Sequence, residues 1–387
     1  MKPARAQNID DLRAAARRRL PRVVFDYLEG GAEDHVSARA NRESFESLGF
    51  APRTLVDVSQ RSLQTEAFGV RFDAPFGISP IGAAGLLWHD AEIALARAAR
   101  AASVPFMLST HSFVPLERVA WEAGGPPWFQ LYMPKDRDAA AAMLKRALDT
   151  GCETLVLTTD VPVGGNREYN ERNGFGVPLR LGVRAIADVL AHPAWLTGVY
   201  FRSLYGRALP HWGDRRDRAD WQDFAWLRKQ WPRKLVVKGI LGVDDARLAV
   251  EHGADGICIS NHGGRQLDGA PAPLAVLPEI AAAVGAHTTV MIDGGVRRGA
   301  DIVKALALGA DLVFVGRAAL YGVAAAGEPG ARRALQILKS ETERVMALLG
   351  CSSVEELGPQ FLRSAYSARI FAPRAMSVKT RISSASK

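Results

Sequence analysis

Cysteine is nearly absent: the 387 residues contain three, Cys152, Cys258 and Cys351. Three such scattered thiols cannot all enter a disulfide framework, and no Cys-x-x-Cys pair offers a metal or redox site. The N-terminus lacks the apolar core of a secretory signal, and no uninterrupted apolar run of about 18 residues supplies a spanning helix. Glycine patterns of the Walker or Rossmann kind are missing, which disfavours ATP and NAD. Charge is only mildly unbalanced, with Lys+Arg 49 against Asp+Glu 41 giving +8. That excess favours anionic partners without naming one. With 48% hydrophobic and 23% charged residues, the chain is too apolar to be disordered and too mixed to be polytopic.

What is present is a recurring unit. Apolar runs rich in Val, Ile, Leu and Phe predict strands covered on both faces at Pro75–Ser79, Pro105–Ser109, Trp128–Tyr132, Thr154–Asp160, Lys234–Ile240, Gly256–Asn261, Val290–Asp293 and Leu312–Arg317. Three- and four-residue apolar spacing predicts helices at Ala91–Ala102, Ala139–Asp149, Asp244–His252, Leu274–Val284 and Ala300–Leu308, with Gly151, Gly253, Gly285 and Gly309 as stops. The stretches "TGCETLVLT", "HGADGICIS" and "LGADLVFVG" repeat one helix-end, glycine, strand pattern. Eight such units point to an α/β fold, a (β/α)8 TIM barrel, rather than a doubly wound sheet. The expected layout is one domain over 1–387, with the barrel at about 75–325. It adds an N-terminal arm with a basic helix at Asp10–Leu20, a long loop after strand four at about 175–220, and a C-terminal helical extension ending in a frayed tail from about 372.

Every predicted strand ends in residues unusual for a core. They are Ser79, Ser109, Gln130 with Tyr132, Thr158 with Asp160, Lys238, Asn261 with His262, Asp293, and Gly316 with Arg317. One such residue could cap the next helix. All eight together are hard to explain by capping, and they mark the mouth where such barrels do chemistry.

Two ends of that mouth differ. After strands seven and eight, "DGGVRRGAD" and "GRA" combine glycines, Arg297 and Arg317 with a following helix N-terminus, a phosphate-binding combination. The bland alternative is a tight glycine turn with solvated arginines. After strand six, "SNHGGRQLDG" offers His262 as a base and Arg265 as a carboxylate clamp, with Asp160 as a candidate to orient the imidazole. Lys238 lies in the apolar run "LVVKG", where an ammonium needs negative charge nearby. It could form a Schiff base, as in an aldolase or isomerase, or sit beside an electron-rich ring. A basic, catalytically inactive anion- or nucleic-acid-binding barrel is a further alternative.

The runs "SNHGGRQLDG", "IDGGVRRGADIVKALALGAD" and "VGRAALYG" closely resemble the FMN-dependent L-2-hydroxy acid oxidase and dehydrogenase family. The likeness extends through "FDYLEGGAED", "WFQLYMPKDR", "LTTDVP" and "AAAGEPG". It implies FMN as cofactor, oxidation of a small L-2-hydroxy acid (mandelate-like or lactate) to the 2-oxo acid, and a homo-oligomer, a tetramer by that resemblance. No nucleic-acid partner and no metal are implied. His262 would be the base, backed by Asp160. Arg265, Tyr27 and Arg167 would serve the carboxylate, and Tyr132 the hydroxyl. Pro80, Ile81, Gly82, Ser109, Gln130 and Thr158 would line the flavin ring. Lys238 would face its N1/O2 edge, which replaces the Schiff-base reading. Asp293, Gly295, Arg297, Gly316 and Arg317 would hold ribityl and phosphate.

Gly82 stands where oxidase members usually carry Ala, which favours a quinone or other acceptor over oxygen. The alternative is an oxidase releasing hydrogen peroxide. His111, two residues past Ser109, is expected at the wall of the substrate pocket, either hydrogen-bonding a substrate or turned to backbone. The insertion around "LRLGVRAIADVLAHPAWLTGVYFRSLYGRALPHWGDRR" mixes apolar residues with Arg180, Arg184, Arg202, Arg207, Arg215 and Arg216, opposed by Asp188 and Asp214. That suits peripheral contact with an anionic membrane, on the inner face of the cytoplasmic membrane; a cover for the active site or an oligomer contact is the alternative.

Overall fold

The computed structural model describes residues 3–175, 182–204 and 219–364. All eight expected strands form. They are β1 (Phe76–Ile78), β2 (Met107–Ser109), β3 (Trp128–Leu131), β4 (Thr154–Thr158), β5 (Lys234–Ile240), β6 (Gly256–Ile259), β7 (Thr289–Ile292) and β8 (Leu312–Val315). Sequence neighbours from β2 to β8 pair in parallel, β8 returns to β1, and an Ile78–Phe106 bridge closes the ring. The fold is a (β/α)8 TIM barrel. β2 and β5 end where expected, and the other six stop one or two residues early, where residues such as Asp160 and Asn261 bond to side chains across the mouth.

Parallel strands require cover on both faces. Helices supply it outside, while Met107, Val156, Val236, Cys258, Met291, Leu312 and Phe314 fill the interior. A hairpin of Thr65–Ala67 and Val70–Phe72 adds Ala67 and Phe72 to that interior. Its Phe68 lies against Trp128 and the start of β6, so the hairpin plugs the N-terminal end. The opposite, C-terminal mouth is left for a ligand.

The barrel helices keep nearly their expected limits, at Ala91–Ala101, Arg137–Asp149, Val243–Glu251, Pro273–Val284 and Gly299–Ala307. Gly285 differs from the other stops. It keeps a right-handed φ of −61°, and its helix ends in an ordinary bond from Gly285 N–H to the Ala281 carbonyl.

The N-terminal arm holds α1 (Ile9–Arg19), α2 (Arg22–Glu29) and α3 (Val36–Glu46). The Asn8 side chain accepts from Asp11 N–H at 2.8 Å and caps α1. Ile9, Leu12 and Ala16 of α1 pack on the final helical run Arg317–Leu349, which breaks at Ala326–Gly327. The arm is then tied to the mouth. Ala32 N–H donates to the Gly264 carbonyl at 2.8 Å, and the Asn41 and Asn261 amides exchange bonds of 2.8 and 2.7 Å. Asp268 caps α3 by accepting from Val36 and Ser37 N–H at 3.1 and 2.8 Å.

Within the insertion, the described part folds as a helix, Val183–Leu190, a turn at Pro193–Trp195 and a π-type run, Leu196–Leu204. Trp195 and Val199 are buried, and the Trp195 indole donates to the Leu86 carbonyl at 2.8 Å. Arg184 and Arg202 are exposed, while Asp188 accepts from Arg22 N–H at the start of α2. Arg180, Arg207, Asp214, Arg215, Arg216 and the tail from 372 lie outside the described residues.

Candidate active site

His262 leaves the end of β6 in an unusual way. His262, Gly263 and Gly264 take left-handed φ values of 58°, 65° and 73° in succession. Glycine accepts this readily; histidine does so at a cost of about 1–3 kcal/mol. The turn is held by Ser260 Oγ, which accepts from His262 N–H at 3.0 Å, and by Asn261 Oδ1, which accepts from Gly264 N–H at 3.1 Å. A Cβ on Gly264 would meet the Ala38 nitrogen of α3 at 2.5 Å, so the glycine is required by the arm.

The His262 Nδ1 lies 3.1 Å from Asp160 Oδ1. Burial lowers the histidine pKa below its ordinary value; Asp160 opposes this, and Lys238 and Arg167 reinforce it. Burial alone would favour a neutral Asp160, yet His262 and Lys238 hold its carboxyl below the usual range. Both directions favour a neutral imidazole backed by a carboxylate. With Nδ1 engaged, Nε2 is the atom that can take a proton.

Around it stands a cationic wall. The Tyr27 hydroxyl, from α2, donates to the Gly82 carbonyl at 3.1 Å, and its ring stacks on Phe175 at 4.5 Å. The Arg265 guanidinium lies 5.2 Å from the Tyr27 ring centre and donates to the Gly30 carbonyl at 2.7 Å. Arg167 donates to the Arg265 carbonyl at 3.2 Å and to Gln266 Oε1 at 3.0 Å. Burial, then the Arg265 charge, lowers the Arg167 pKa to about 10. Tyr132 shares the wall with His111, their rings stacked at 4.8 Å.

At the other end, Lys238 is buried, bonding Ser260 Oγ at 2.7 Å and Asp293 Oδ2 at 3.0 Å. Burial is the largest influence and opposes its charge, but Asp293, Cys258 and Asp160 together hold the ammonium pKa above the ordinary lysine range. Ser79 Oγ donates to the same Asp293 oxygen at 2.9 Å. Asp301 accepts from Arg297 and Arg298 N–H at 2.8 and 3.0 Å and so shapes the loop after β7. Arg317 donates to the carbonyls of Leu28, Gly263 and Gly30. Burial, followed by Arg265 and Arg297, lowers its pKa to about 10. Gly295 has a reason other than ligand approach: a Cβ there would meet the Asn41 carbonyl oxygen at 2.4 Å. A Cβ on Gly316 would instead project into open space.

One cavity brings together all the expected site residues except four, and Ser79 and His111 join them. Asp160 stands behind His262, while Ser109, Gln130 and Thr158 sit buried at their strand ends. Three residues of the quoted "SNHGGRQLDG" run, which the sequence left without roles, prove to organise the site: Ser260, Gln266 and Asp268. Their signal was the run itself, whose polar residues outnumber those that face the cavity.

A barrel mouth with a carboxylate-backed histidine, two arginines and a buried lysine beside a phosphate-type loop suits proton transfer on a small anionic substrate next to a phosphate-bearing group. Residues 16–364 match the family described as FMN-dependent dehydrogenase. The chain belongs to that family, and its cofactor is FMN. It is 44% identical over 371 residues to (S)-mandelate dehydrogenase of Pseudomonas putida, spanning 92% of this chain and 94% of the relative. A putative L-lactate dehydrogenase of Mycobacterium tuberculosis is 43% identical over 376 residues, with 92% and 88% covered. The crystal structure of the monotopic membrane protein (S)-mandelate dehydrogenase superposes with a TM-score of 0.89 at 43% identity, covering 93% of this chain and 100% of that one.

Proposed function

We propose that this FMN-dependent dehydrogenase oxidises a mandelate-like L-2-hydroxy acid to its 2-oxo acid, at a site where His262 is the base. The observation that carries the reading is the His262–Asp160 pair opening on the same cavity as Arg265, Arg167 and Tyr27. Arg265, Arg167 and Tyr27 bind the carboxylate by charge-assisted bonds. Tyr132 orients the hydroxyl. His262 Nε2 takes a substrate proton, and the Asp160 carboxylate stabilises the imidazolium that results. The stacked His111–Tyr132 wall suits a flat aryl group more than the methyl of lactate.

The residues present fit FMN. Gln130 Nε2 and Thr158 Oγ1 are buried without a protein partner, as groups awaiting a polar ring edge would be. Pro80, Ile81, Gly82 and Ser109 would complete the ring site, and Lys238 would favour negative charge on the ring. Asp293 and Gly295, with Gly316, Arg297 and Arg317 beside open space, would hold ribityl and phosphate. When bound, FMN supplies the two-electron acceptor. Anaerobic mixing with L-mandelate, L-lactate and glycolate tests the reading. Flavin bleaching fastest with L-mandelate is expected, and a protein that retains FMN yet bleaches with none of them would overturn it.

Gly82 supports reoxidation by a membrane quinone rather than oxygen. Turnover with a soluble quinone analogue that exceeds turnover with oxygen is the expected result; rapid peroxide release would instead make it an oxidase. The acceptor reading agrees with a peripheral membrane site on the inner face of the cytoplasmic membrane. Its support is Val183, Ile186 and Leu190, on one face of a helix and 84%, 47% and 63% exposed, with Phe201 and the exposed Arg184 and Arg202 nearby. Among the described residues no helix is long and apolar enough to cross a membrane. Sedimentation with phosphatidylglycerol vesicles should be lost when those three apolar residues become serine. A single-domain chain assembled as a homotetramer completes the proposal, and light scattering tests it.

A further inference from the structure

Gln266 is only 9% exposed, and its amide has every hydrogen-bonding position filled. Its Nε2 donates to the carbonyls of Asp160 at 3.2 Å and Val163 at 3.0 Å. Its Oε1 accepts from Gly165 N–H at 3.3 Å and Arg167 Nη2 at 3.0 Å. Two carbonyls face the nitrogen and two N–H donors face the oxygen, so the partners themselves settle which end is which. All four partners belong to one segment, residues 160–167 after β4. That segment also lies directly on the backbone beside Gln266. A Cβ on Gly165 would meet the Arg265 carbonyl oxygen at 2.3 Å and the Gln266 Cα at 2.8 Å.

We propose that Gln266 is a positioning residue for 2-hydroxy acid binding: it holds Arg167 toward the substrate carboxylate through a neutral acceptor, leaving the arginine's charge unspent. The inference rests on the reading of Arg167 given above. Among the described residues the acceptors of Arg167, the Gln266 amide and the Arg265 carbonyl, are uncharged. A carboxylate in the place of Gln266 Oε1 would form an ion pair with Arg167 and neutralise the pocket. The same replacement would remove the two N–H donors that fasten the Asp160 and Val163 carbonyls. An amide is the one side chain of this size that supplies donors to the loop and an uncharged acceptor to the arginine. Because Gln266 adjoins Arg265, one turn sets both cations and the backbone of the histidine's partner, Asp160.

The test uses the FMN-loaded enzyme and its Gln266→Glu, Gln266→Met and Arg167→Met variants. Binding of a non-reacting 2-oxo acid, phenylglyoxylate, is followed through the flavin spectrum, alongside the limiting rate of anaerobic reduction. Gln266→Glu is expected to weaken phenylglyoxylate by roughly tenfold or more at pH 7, with a smaller effect on the limiting rate. The loss should shrink as falling pH protonates the introduced carboxylate. Gln266→Met, which adds no charge, should weaken binding less and without that pH dependence. Binding within twofold of the native enzyme in Gln266→Glu, or equal and pH-independent losses in both Gln266 variants, would overturn the proposal. If Gln266→Glu fails to retain FMN, native-like binding by Gln266→Met overturns it and a severalfold loss supports it. Arg167→Met separates the two readings. Undiminished binding there removes the role of Arg167 itself, whereas a loss there with none in Gln266→Glu removes only the role of Gln266.

Discussion

Arg265 and Arg317 donate to the same acceptor, the Gly30 carbonyl, at 2.7 and 2.8 Å. In the proposed reading Arg265 serves the carboxylate side of the cavity and Arg317 the phosphate side. A single peptide of the N-terminal arm therefore joins both ends, and disturbing it reaches substrate and cofactor together.

Gly30→Ala is the direct probe. The added Cβ would fall 1.9 Å from the Tyr169 ring, closer than any real contact, so the ring or the arm must move. We expect a raised KM for the hydroxy acid and faster release of FMN, the latter read by flavin fluorescence. Trimming the opposing ring in Gly30→Ala/Tyr169→Ala should restore both in part. Native KM and native FMN retention in the single variant would contradict the shared-peptide account.

The His262–Asp160 pair predicts the pH profile. As the proposed base His262 must be neutral, and burial lowers its pKa below the ordinary 6.5, so activity should fall only in acid below that value. Removing the carboxylate in Asp160→Asn takes away the main influence raising that pKa. The acid limb should then move still lower, while the reduction rate falls by about 10²-fold or more because the imidazolium loses its stabilising partner. A limb displaced to higher pH would show that Asp160 does not act on His262.

Lys238 and Asp293 form a buried pair with side chains 4% and 9% exposed. Lys238→Met strands the Asp293 carboxylate and should lower stability by about 3–5 kcal/mol, measured by denaturant unfolding of the FMN-free protein. Lys238→Met/Asp293→Asn should recover much of that stability, yet neither variant should stabilise reduced FMN. A shift of the flavin midpoint potential to more negative values is the accompanying readout.

Gly82→Ala should act through His111. The new methyl would lie 3.2 Å from the His111 Cβ, tighter than ordinary packing. His111, stacked on Tyr132, must give way. The variant should raise the KM for L-mandelate severalfold, and His111→Ala should suppress that rise. A double-mutant cycle should show non-additivity of about 0.5–3 kcal/mol; additive effects would argue that the two residues act separately.

Much of this protein was readable without coordinates, for a physical reason. Strand and helix periodicity, glycine stops and polar strand ends are local properties, carried within a few residues. From them the barrel, its mouth and the residue types at each end follow. The cohesion of the "SNHGGRQLDG" run likewise survives in one dimension because its residues are neighbours.

Other features depended on contacts between distant parts of the chain. The sequence placed His262 and Asp160 at two strand ends; only barrel closure sets their nitrogen and oxygen 3.1 Å apart. The Gly295 turn read as a ligand cradle, whereas the docked arm gives the nearer reason, the Asn41 carbonyl. In the insertion, composition could not say which apolar residues turn inward. Burial of Trp195 and Val199 beside exposure of Val183, Ile186 and Leu190 decided it. Gln266 looked like one polar residue among several until four partners from another loop surrounded its amide. The sequence by itself determined which chemical groups meet at the mouth. The tertiary structure alone decided what each group touches, because hydrogen bonds act over about 3 Å and join residues far apart along the chain.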